Sequence, residues 1–498
     1  MSNHKTQIGP STGSGCPYLL FVFLLVQRLP SLIVPFWTKD EGFWWAVGKS
    51  VANGGKLFVT SVDNKPPLFL GGYALAIQWF GDTYSMMALH ALVILGQGLI
   101  LWVIYQVSRK HWGESIAQAT ALMYLCLQGS FVSQEILAAN SENLMMPLLM
   151  LTFYLYDRDA KNIFLFVLMG VLTGIGFFLR QTSVIFFFFY ALHEVLNTKS
   201  WKHFLKSFLD GLWMLFGFLI VFGLTCLWFF KQGSFDEFWY WTFSITREYV
   251  DESLPLNIIL WDGFWKTATI MLSQGLVWGL ALYALRNDFK KIWSLFFFSM
   301  ILIVSAGWRF SHHYYLQIFP AAALLAGWAL FQRKNKWPLS KTWVSVCLMI
   351  PLLGFTGEAV FRCVKDSSGF PRPAIRELGL WLKENKKPND HLFIWGYYPE
   401  IYYYSGLSNG ARFVEIHFLT GQIRDSIKSG GLGSRGRLWD WLWSDLKNPP
   451  EWFVDNTAFP VSGRYLSPLS QFPDLEKFVL ENYTEVKDIH GMKIFHKK

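Results

Sequence analysis

The segment NIFLFVLMGVLTGIGFFLRQTSVIFFFFYALHE, residues 162–194, decides the fold class. It holds two apolar runs, 162–179 and 181–194, on either side of Arg180. Such runs are typical of consecutive helices that cross a bilayer, although the second is short for a span of about 20 residues. Because an arginine between them has little water around it, Arg180 should contact an anionic partner or extend outward to the interface.

The composition of the whole chain agrees with a membrane location. Of the 498 residues, 52% are hydrophobic, 18% aromatic and 16% charged, which is more apolar than a soluble domain of this size usually is. The net charge of +9 comes from Lys and Arg in short loops between apolar runs, which indicates contact with anionic lipid headgroups and not with nucleic acid. The five cysteines show neither paired nor metal-ligand spacing, so no disulfide framework is predicted.

The apolar runs predict a polytopic α-helical protein. The first run, 18–37, lacks a small-residue cleavage site and should be a retained anchor. Segment 66–80 opens with two prolines and is predicted to be a helix lying at the interface. The predicted spans are 17–37, 84–107, 114–132, 142–156, 162–179, 181–194, 209–230, 267–285, 291–307, 314–331 and 342–362.

The loop charges choose the orientation. If the N-terminus is cytoplasmic, every inward loop is basic, as the positive-inside rule requires, whereas counting 66–80 as a span would invert the later loops. The sequence therefore predicts eleven spans with the C-terminal tail outside the cytoplasm. The basic residues of the inward loops are Arg109, Lys110, Arg158, Lys161, Lys199, Lys202, Lys206, Arg286, Lys290, Lys291, Arg333, Lys334, Lys336 and Lys341.

The composition changes at about residue 362. We predict a transmembrane domain over 1–362, with interfacial helices in 38–83, and an extracytoplasmic α/β domain over 363–498. Its predicted elements are helix 374–387, strand 391–395, a helix to 405, strand 451–455, helix 474–482 and strands near 486 and over 492–496. Gly430–Gly436 lacks the strand–loop–helix setting of a phosphate site, and the tail shows no metal or nucleophile motif.

The outward loops hold the candidates for chemistry. Asp40 and Glu41 follow the first span, where acidic residues also serve simply as a helix start. Lys65 precedes two prolines, so a stiff backbone presents it near the bilayer surface, although a snorkelling lysine would look the same. Glu142 begins the fourth span, where a capping role is the alternative. Arg28 lies within the first apolar run, where a charge is costly and indicates function.

A further cluster lies at the outer end of the tenth span. Arg309 stands close to His312 and His313, which an aromatic belt does not explain, although a belt accounts well for Tyr314. Carboxylates and cations thus collect on one side of the membrane. This arrangement suits a reaction on a membrane-held phosphate ester, because cations offset charge on a leaving phosphate and a carboxylate takes a proton from a hydroxyl.

The ordered set of motifs resembles the bacterial relatives of dolichyl-phosphate-mannose protein mannosyltransferases. These relatives and the lipid A aminoarabinose transferases belong to the GT-C glycosyltransferase superfamily. The resemblance covers about residues 17–330 and is carried by four motifs: Asp40-Glu41, 63–68 (DNKPPL), 140–142 (NSE) and 313–317 (HYYLQ).

The resemblance implies inverting transfer of a hexosyl or pentosyl group from a polyprenyl-phosphate donor to an acceptor hydroxyl of an envelope glycan, lipid or protein. It places the protein in the bacterial inner membrane. A metal is not required, although a carboxylate cluster leaves a divalent cation open.

The same resemblance assigns the residues. Asp40 would be the catalytic base, Glu41 its support or an acceptor contact, and Glu142 the second acidic position. Arg180 stands where many members have lysine, and the histidine register is open by one residue. The donor phosphate would be bound by Lys65, Arg180, Arg309, His312 or His313, and Tyr314.

Two other functions fit the same residues less well. A carrier or flippase for polyprenyl-linked glycans should show internal repeats and polar residues deep within several spans, whereas here the polar residues gather in outer loops. A non-catalytic envelope-assembly protein would use its tail for binding, but it has no need of Asp40, Glu41 and Lys65. The tail shares the predicted face of these residues, where it would cover the site or hold the acceptor.

Overall fold

The computed structural model describes residues 18–129, 132–159, 161–245, 255–287, 291–305, 310–338, 340–366, 373–420, 436–459 and 467–498. These residues form a mainly helical protein with one small sheet near the C-terminus, as predicted. The α-helices are α1 Tyr18–Arg28, α2 Lys39–Ala52, α3 Pro67–Trp112, α4 Glu114–Gln128, α5 Ser133–Leu137, α6 Ser141–Tyr156, α7 Ile163–Leu179, α8 Ile185–Asn197, α9 Trp201–Gln232, α10 Phe235–Trp239, α11 Leu256–Ser273, α12 Gly275–Asn287, α13 Ile292–Ser305, α14 Phe319–Gln332, α15 Lys341–Asp366, α16 Pro373–Asn385, α17 Glu400–Ser405, α18 His417–Thr420, α19 Arg437–Asp445 and α20 Pro473–Asn482.

Short turns of other helix types join some of these elements. Gln181–Val184 is a 3₁₀ turn between α7 and α8, so the two apolar runs on either side of Arg180 are separate helices, as the sequence predicts. Leu29–Leu32, His312–Gln317 and Leu469–Gln471 are also 3₁₀ turns, and Tyr240–Ser244 forms a π-helical turn after α10.

The helices break at two places within the apolar segments, once between two predicted elements and once inside a predicted span. Helix α3 breaks at Gly81, where φ is 69° and ψ is 177°, so the predicted interfacial segment and the following span are two helical pieces. Glycine has no Cβ and adopts this positive φ without strain. Within the predicted span 267–285 the helix breaks, because α11 ends at Ser273 and α12 continues at an angle of 107°.

The number of spans stays a prediction. Among the residues that the structure describes, three helices are long and apolar enough to cross a membrane: Pro67–Trp112, Trp201–Gln232 and Thr342–Val364. The bent pair α11 and α12 would make a fourth. The other apolar helices are shorter than the roughly 20 residues that a full crossing needs.

The sheet has the strand order β2-β1-β3-β5-β4. Strand β1 is parallel to β2 and β3, whereas β5 is antiparallel to both β3 and β4. Helices α16, α17 and α20 and the strands β1, β3, β4 and β5 lie where the sequence predicts them. The strands are β1 His391–Trp395, β2 Ser408–Asn409, β3 Trp452–Asp455, β4 Tyr483–Ile489 and β5 Met492–Lys497.

The apolar side chains form two large cores. One lies among the membrane helices and includes α4, α6, α13 and α14. The other joins α2 and the first part of α3 to the C-terminal sheet and its helices. The C-terminal region is therefore packed on α2 through a shared hydrophobic core, and this contact brings it next to the predicted site.

Candidate active site

The N-terminus of α2 presents its two adjacent carboxylates in different environments. Glu41 is buried, and its Oε2 accepts hydrogen bonds from the backbone N–H groups of Trp37 (2.6 Å) and Thr38 (3.2 Å). Its Oε1 accepts from the N–H of Ala139 (2.7 Å) and lies 2.7 Å from Nε2 of His90. Glu41 thus caps α2 and ties it to α3 and to the segment before α6.

Asp40 occupies the preceding position and is exposed. Its negative charge acts on Asp63, on Tyr73 and on Glu400, so these groups lie around it. A carboxylate that faces solvent and is not committed to the packing is free to approach a substrate hydroxyl. Asp40 and Glu41 therefore have different surroundings. The alternative role of an acidic residue at a helix start describes Glu41.

Two cationic side chains, Arg180 and His313, meet at Glu142. Glu142 is buried, with its Oε1 2.7 Å from Nη1 of Arg180 and 3.6 Å from Nε2 of His313. Ser141 donates to Oε2 of Glu142 (2.9 Å) and accepts a hydrogen bond from Arg180 (3.1 Å). The capping role that the sequence also allowed for Glu142 belongs to Asn140. Its side chain caps α6 by accepting a hydrogen bond from the N–H of Asn143.

Aromatic and acidic neighbours complete this group. The guanidinium of Arg180 lies 4.6 Å from the ring centroid of Tyr314, and Nδ1 of His313 lies 3.4 Å from Oε2 of Glu135. Burial lowers the pKa of His313, but the carboxylates of Glu142 and Glu135 outweigh it and raise this pKa to about 9. His313 is therefore protonated at neutral pH and adds a positive charge next to Arg180.

Lys65 interacts electrostatically with both groups. Its ammonium is 5.6 Å from the ring centroid of Trp44, and its charge acts on both Asp63 and Glu142. The Lys-Pro-Pro corner leads directly into α3, which begins at Pro67. Proline fixes the backbone at the first helical turn, so this corner holds Lys65 at a defined place beside α2.

The remaining predicted residues have different positions. His312 is exposed, and the histidine beside Glu142 is His313. Arg309 lies outside the described residues, as do residues 430–435 of the Gly-rich stretch.

Arg28 is buried among neutral groups. It donates to the carbonyl of Ile136 (2.9 Å) and to Oε1 of Gln128. Arg28 thus holds the segment that carries Glu135, and its contacts are with the protein scaffold.

Sequence reasoning missed several residues of this region. Asp63 lies in the motif 63–68, and Glu135 lies in the loop between the predicted spans 114–132 and 142–156. Neither was selected as a candidate. Glu400, Glu415 and His417 lie in the tail, where no local motif pointed to chemistry. Within the described ranges, no cluster of three or more His, Cys, Asp or Glu side chains has the arrangement of a metal site.

Comparison with known proteins agrees with the predicted fold and resemblance. Residues 64–228 match the model of the dolichyl-phosphate-mannose-protein mannosyltransferase family. ArnT from Cupriavidus metallidurans bound to undecaprenyl phosphate superposes with a TM-score of 0.64 at 14% identity, over 97% of this chain and 98% of that chain. The chain has the GT-C fold. The predicted resemblance is confirmed, over residues 64–228 by the family model and over nearly the whole chain by the GT-C architecture.

Other comparisons add detail. ArnT from the same organism in the apo state gives a TM-score of 0.61 at 13% identity, over 96% of this chain and 97% of that chain. An Archaeoglobus fulgidus oligosaccharyltransferase tethered to an acceptor peptide matches at 11% identity and a TM-score of 0.47, over 94% of this chain and 72% of that chain. No curated protein sequence matches the chain. This chain thus shares its fold with the two ArnT structures at 13–14% identity.

Proposed function

We propose that this chain is a membrane glycosyltransferase that moves a sugar from a polyprenyl-phosphate donor to an acceptor hydroxyl, with inversion, at the outer face of the bacterial inner membrane. The observation that carries the proposal is the division of charge around Lys65. The charge of Lys65 acts on Asp63, as does that of the exposed Asp40, and it also acts on Glu142, which pairs with Arg180 and the protonated His313. The ArnT structure of the same fold was solved with undecaprenyl phosphate, which supports a polyprenyl-phosphate donor.

The chemistry follows from these positions. The acceptor oxygen attacks the anomeric carbon as its proton passes to Asp40, and the bond from this carbon to the phosphate oxygen breaks with its electron pair staying on the phosphate. The cations Lys65, Arg180 and His313 offset the charge that grows on the departing polyprenyl phosphate. Glu142 holds Arg180 and His313 in place, and Glu41 holds the helix that carries Asp40.

The proposal predicts that Asp40→Asn abolishes transfer. The amide cannot accept the acceptor proton, and loss of a general base lowers a rate by about 10²- to 10⁴-fold. Full-length protein in nanodiscs should be given a radiolabelled polyprenyl-phosphate sugar together with fractionated envelope acceptors, and the labelled product should be counted. Binding of polyprenyl phosphate should stay within about twofold of the wild-type value, because the cations Lys65, Arg180 and His313 are unchanged in this variant.

Asp474→Asn is the matched control, because Asp474 is exposed in the C-terminal region and makes the same change of charge. It should transfer sugar at the wild-type rate. Equal transfer by Asp40→Asn and wild type would disprove the base assignment. If wild type labels no envelope fraction from any polyprenyl-phosphate sugar, the proposed function is wrong.

A further inference from the structure

The carboxyl ends of the parallel strands meet at one edge of the C-terminal sheet. The carbonyl of Trp395, at the end of β1, accepts from the N–H of Asn456, which follows β3 (3.1 Å). The carbonyl of Gly396 accepts from the N–H of Ile416 (3.2 Å). In open α/β sheets, ligands bind outside this edge, because the loops that follow neighbouring strands converge there.

Acidic side chains at this edge lie against α2. Glu400 begins α17 directly after β1, and a Cβ at Gly42 would lie 2.5 Å from its Cγ, so Glu400 lies against the backbone of α2 two residues beyond Asp40. The ring centroid of His417 lies 5.4 Å from that of Phe43, and its Nδ1 lies 2.8 Å from Oε1 of Glu415. The C-terminal region therefore meets α2 beside the proposed base.

Two buried carboxyl groups lie near this contact. Asp63 is 4% exposed and Glu400 is 0% exposed. Oδ1 of Asp63 accepts a hydrogen bond from the N–H of Asn64 (2.7 Å), but within the part of the chain that the structure describes neither Oδ2 of Asp63 nor either oxygen of Glu400 has a hydrogen-bond partner. Since buried polar groups are normally hydrogen-bonded, these oxygens are open to hydrogen bonds from a ligand.

The charges divide the site into two sides. Lys65 acts on Asp63, which the charge of Asp40 also reaches, and on Glu142, which pairs with Arg180. The side of Arg180 and His313 suits an anionic phosphate. Burial raises the pKa of Glu400 to about 8, so this carboxyl is largely neutral at pH 7 and the negative charge of the other side comes from Asp40 and Asp63. These two carboxylates disfavour a second anion, whereas hydroxyl groups can pair with the unpartnered oxygens of Asp63 and Glu400.

We propose that Asp63 and Glu400 bind the hydroxyl groups of an uncharged, hydroxyl-rich acceptor between α2 and the carboxyl edge of the C-terminal sheet. This inference rests on the proposed glycosyl transfer and names the acceptor class and the residues that recognise it. Because α2 covers Glu400 completely, this edge must separate slightly from Gly42 when the acceptor enters. The C-terminal region then forms one wall of the acceptor site.

The test compares acceptor and donor binding in full-length Asp63→Asn and Glu400→Gln, which keep the size of each side chain. The acceptor is the envelope fraction that the wild-type protein labels. We expect the KM for this acceptor to rise about tenfold in each variant, as for the loss of one hydrogen bond. Affinity for polyprenyl phosphate should stay within about twofold, because the donor side is intact.

Glu485→Gln is the control, because Glu485 is exposed on β4 in the same region. It should leave the acceptor KM and the donor affinity unchanged. An unchanged acceptor KM in Asp63→Asn and Glu400→Gln would overturn the inference while leaving the proposed transfer intact. Equal losses of donor and acceptor binding would also overturn it, since they indicate a general structural effect.

The acceptor class has its own measurement. Partial hydrolysis of the product releases a labelled unit that contains the donor sugar and the acceptor residue. On anion exchange this unit should carry no more negative charge than the donor sugar alone. A phosphate or carboxylate on the acceptor residue would overturn the uncharged class. If wild type labels no fraction at all, the proposed function fails first and the inference fails with it.

Discussion

At the residue scale, neighbouring side chains in this site have separate tasks because a helix turns by 100° per residue. Asp40 faces outward, whereas Glu41 points into the protein and accepts hydrogen bonds from three backbone N–H groups. The same separation holds at α6, where Asn140 caps the helix and Glu142 pairs with Arg180. The two members of an acidic pair in a sequence therefore need separate predictions.

His313 gives a prediction on pH dependence. Its raised pKa of about 9 means that its positive charge is present below this pH and is lost as pH rises through it. Polyprenyl-phosphate affinity of the wild-type protein should therefore fall by about tenfold between pH 8 and pH 10, because one cation beside the phosphate is lost. The measurement is an equilibrium titration with polyprenyl phosphate in nanodiscs across this range.

His313→Gln should bind more weakly at pH 8 and should lose most of this pH dependence. His203→Gln is the control, because His203 is exposed near the start of α9 and should keep the wild-type profile. A pH profile of His313→Gln that is identical to that of wild type would show that another group titrates.

At the element scale, glycines allow α7 and α9 to approach closely. A Cβ at Gly170 would lie 1.8 Å from the carbonyl oxygen of Met214, and a Cβ at Gly217 would lie 2.1 Å from that of Val167. Gly170 and Gly174 are four residues apart, which is the small-residue spacing that brings membrane helices into contact. The run that predicts a span thus also contains the surface on which the span packs.

Gly170→Ala should therefore destabilise the protein by about 1–3 kcal/mol, because the added methyl group meets a backbone atom that cannot move independently. The measurement is the thermal unfolding midpoint in detergent, which should fall. Gly223→Ala is the matched control on α9, since a Cβ there meets nothing within 4 Å. A lower midpoint in Gly223→Ala than in Gly170→Ala would contradict the packing argument.

At the scale of the whole molecule, the C-terminal region and α2 share one hydrophobic core. Trp45 on α2 is fully buried, with its ring centroid 5.1 Å from that of Tyr403 on α17, and its Nε1 donates to Oγ of Ser85 (3.1 Å). Backbone contacts add to this core, since the N–H of Val62 donates to the carbonyl of Arg412 (3.1 Å). The proposed acceptor wall therefore depends on packing that spans both parts of the chain.

Trp45→Ala should remove about 3–5 kcal/mol of packing energy and loosen both parts together. Hydrogen exchange measured by mass spectrometry should show faster exchange in α2 and in α17. Trp213→Ala is the control, because Trp213 is 41% exposed on α9 and should leave both helices unchanged. Faster exchange in α2 alone would mean that the C-terminal region is stable without this contact.

Most of the elements could be predicted from the sequence because their signals are local. Apolar length marks the membrane helices, and alternation and turn residues mark strands such as β1 and β3. Strand β2 has two residues and α19 follows a Gly-rich stretch, so neither gives a periodic signal. The bend between α11 and α12 was missed because an apolar run looks the same whether or not the helix turns within it.

The sequence by itself determined the polytopic helical class, the C-terminal α/β region and the motifs with Asp40, Lys65, Glu142 and His313, because these depend on residue type and spacing. Only the tertiary structure decided that Arg180 and His313 meet at Glu142 and that Glu400 reaches α2, since these partners are far apart in the chain. Long-range contacts depend on how packed helices and sheets bring loops together, and no local pattern encodes that. Arg180, predicted to need an anionic partner, has Glu142 at 2.7 Å.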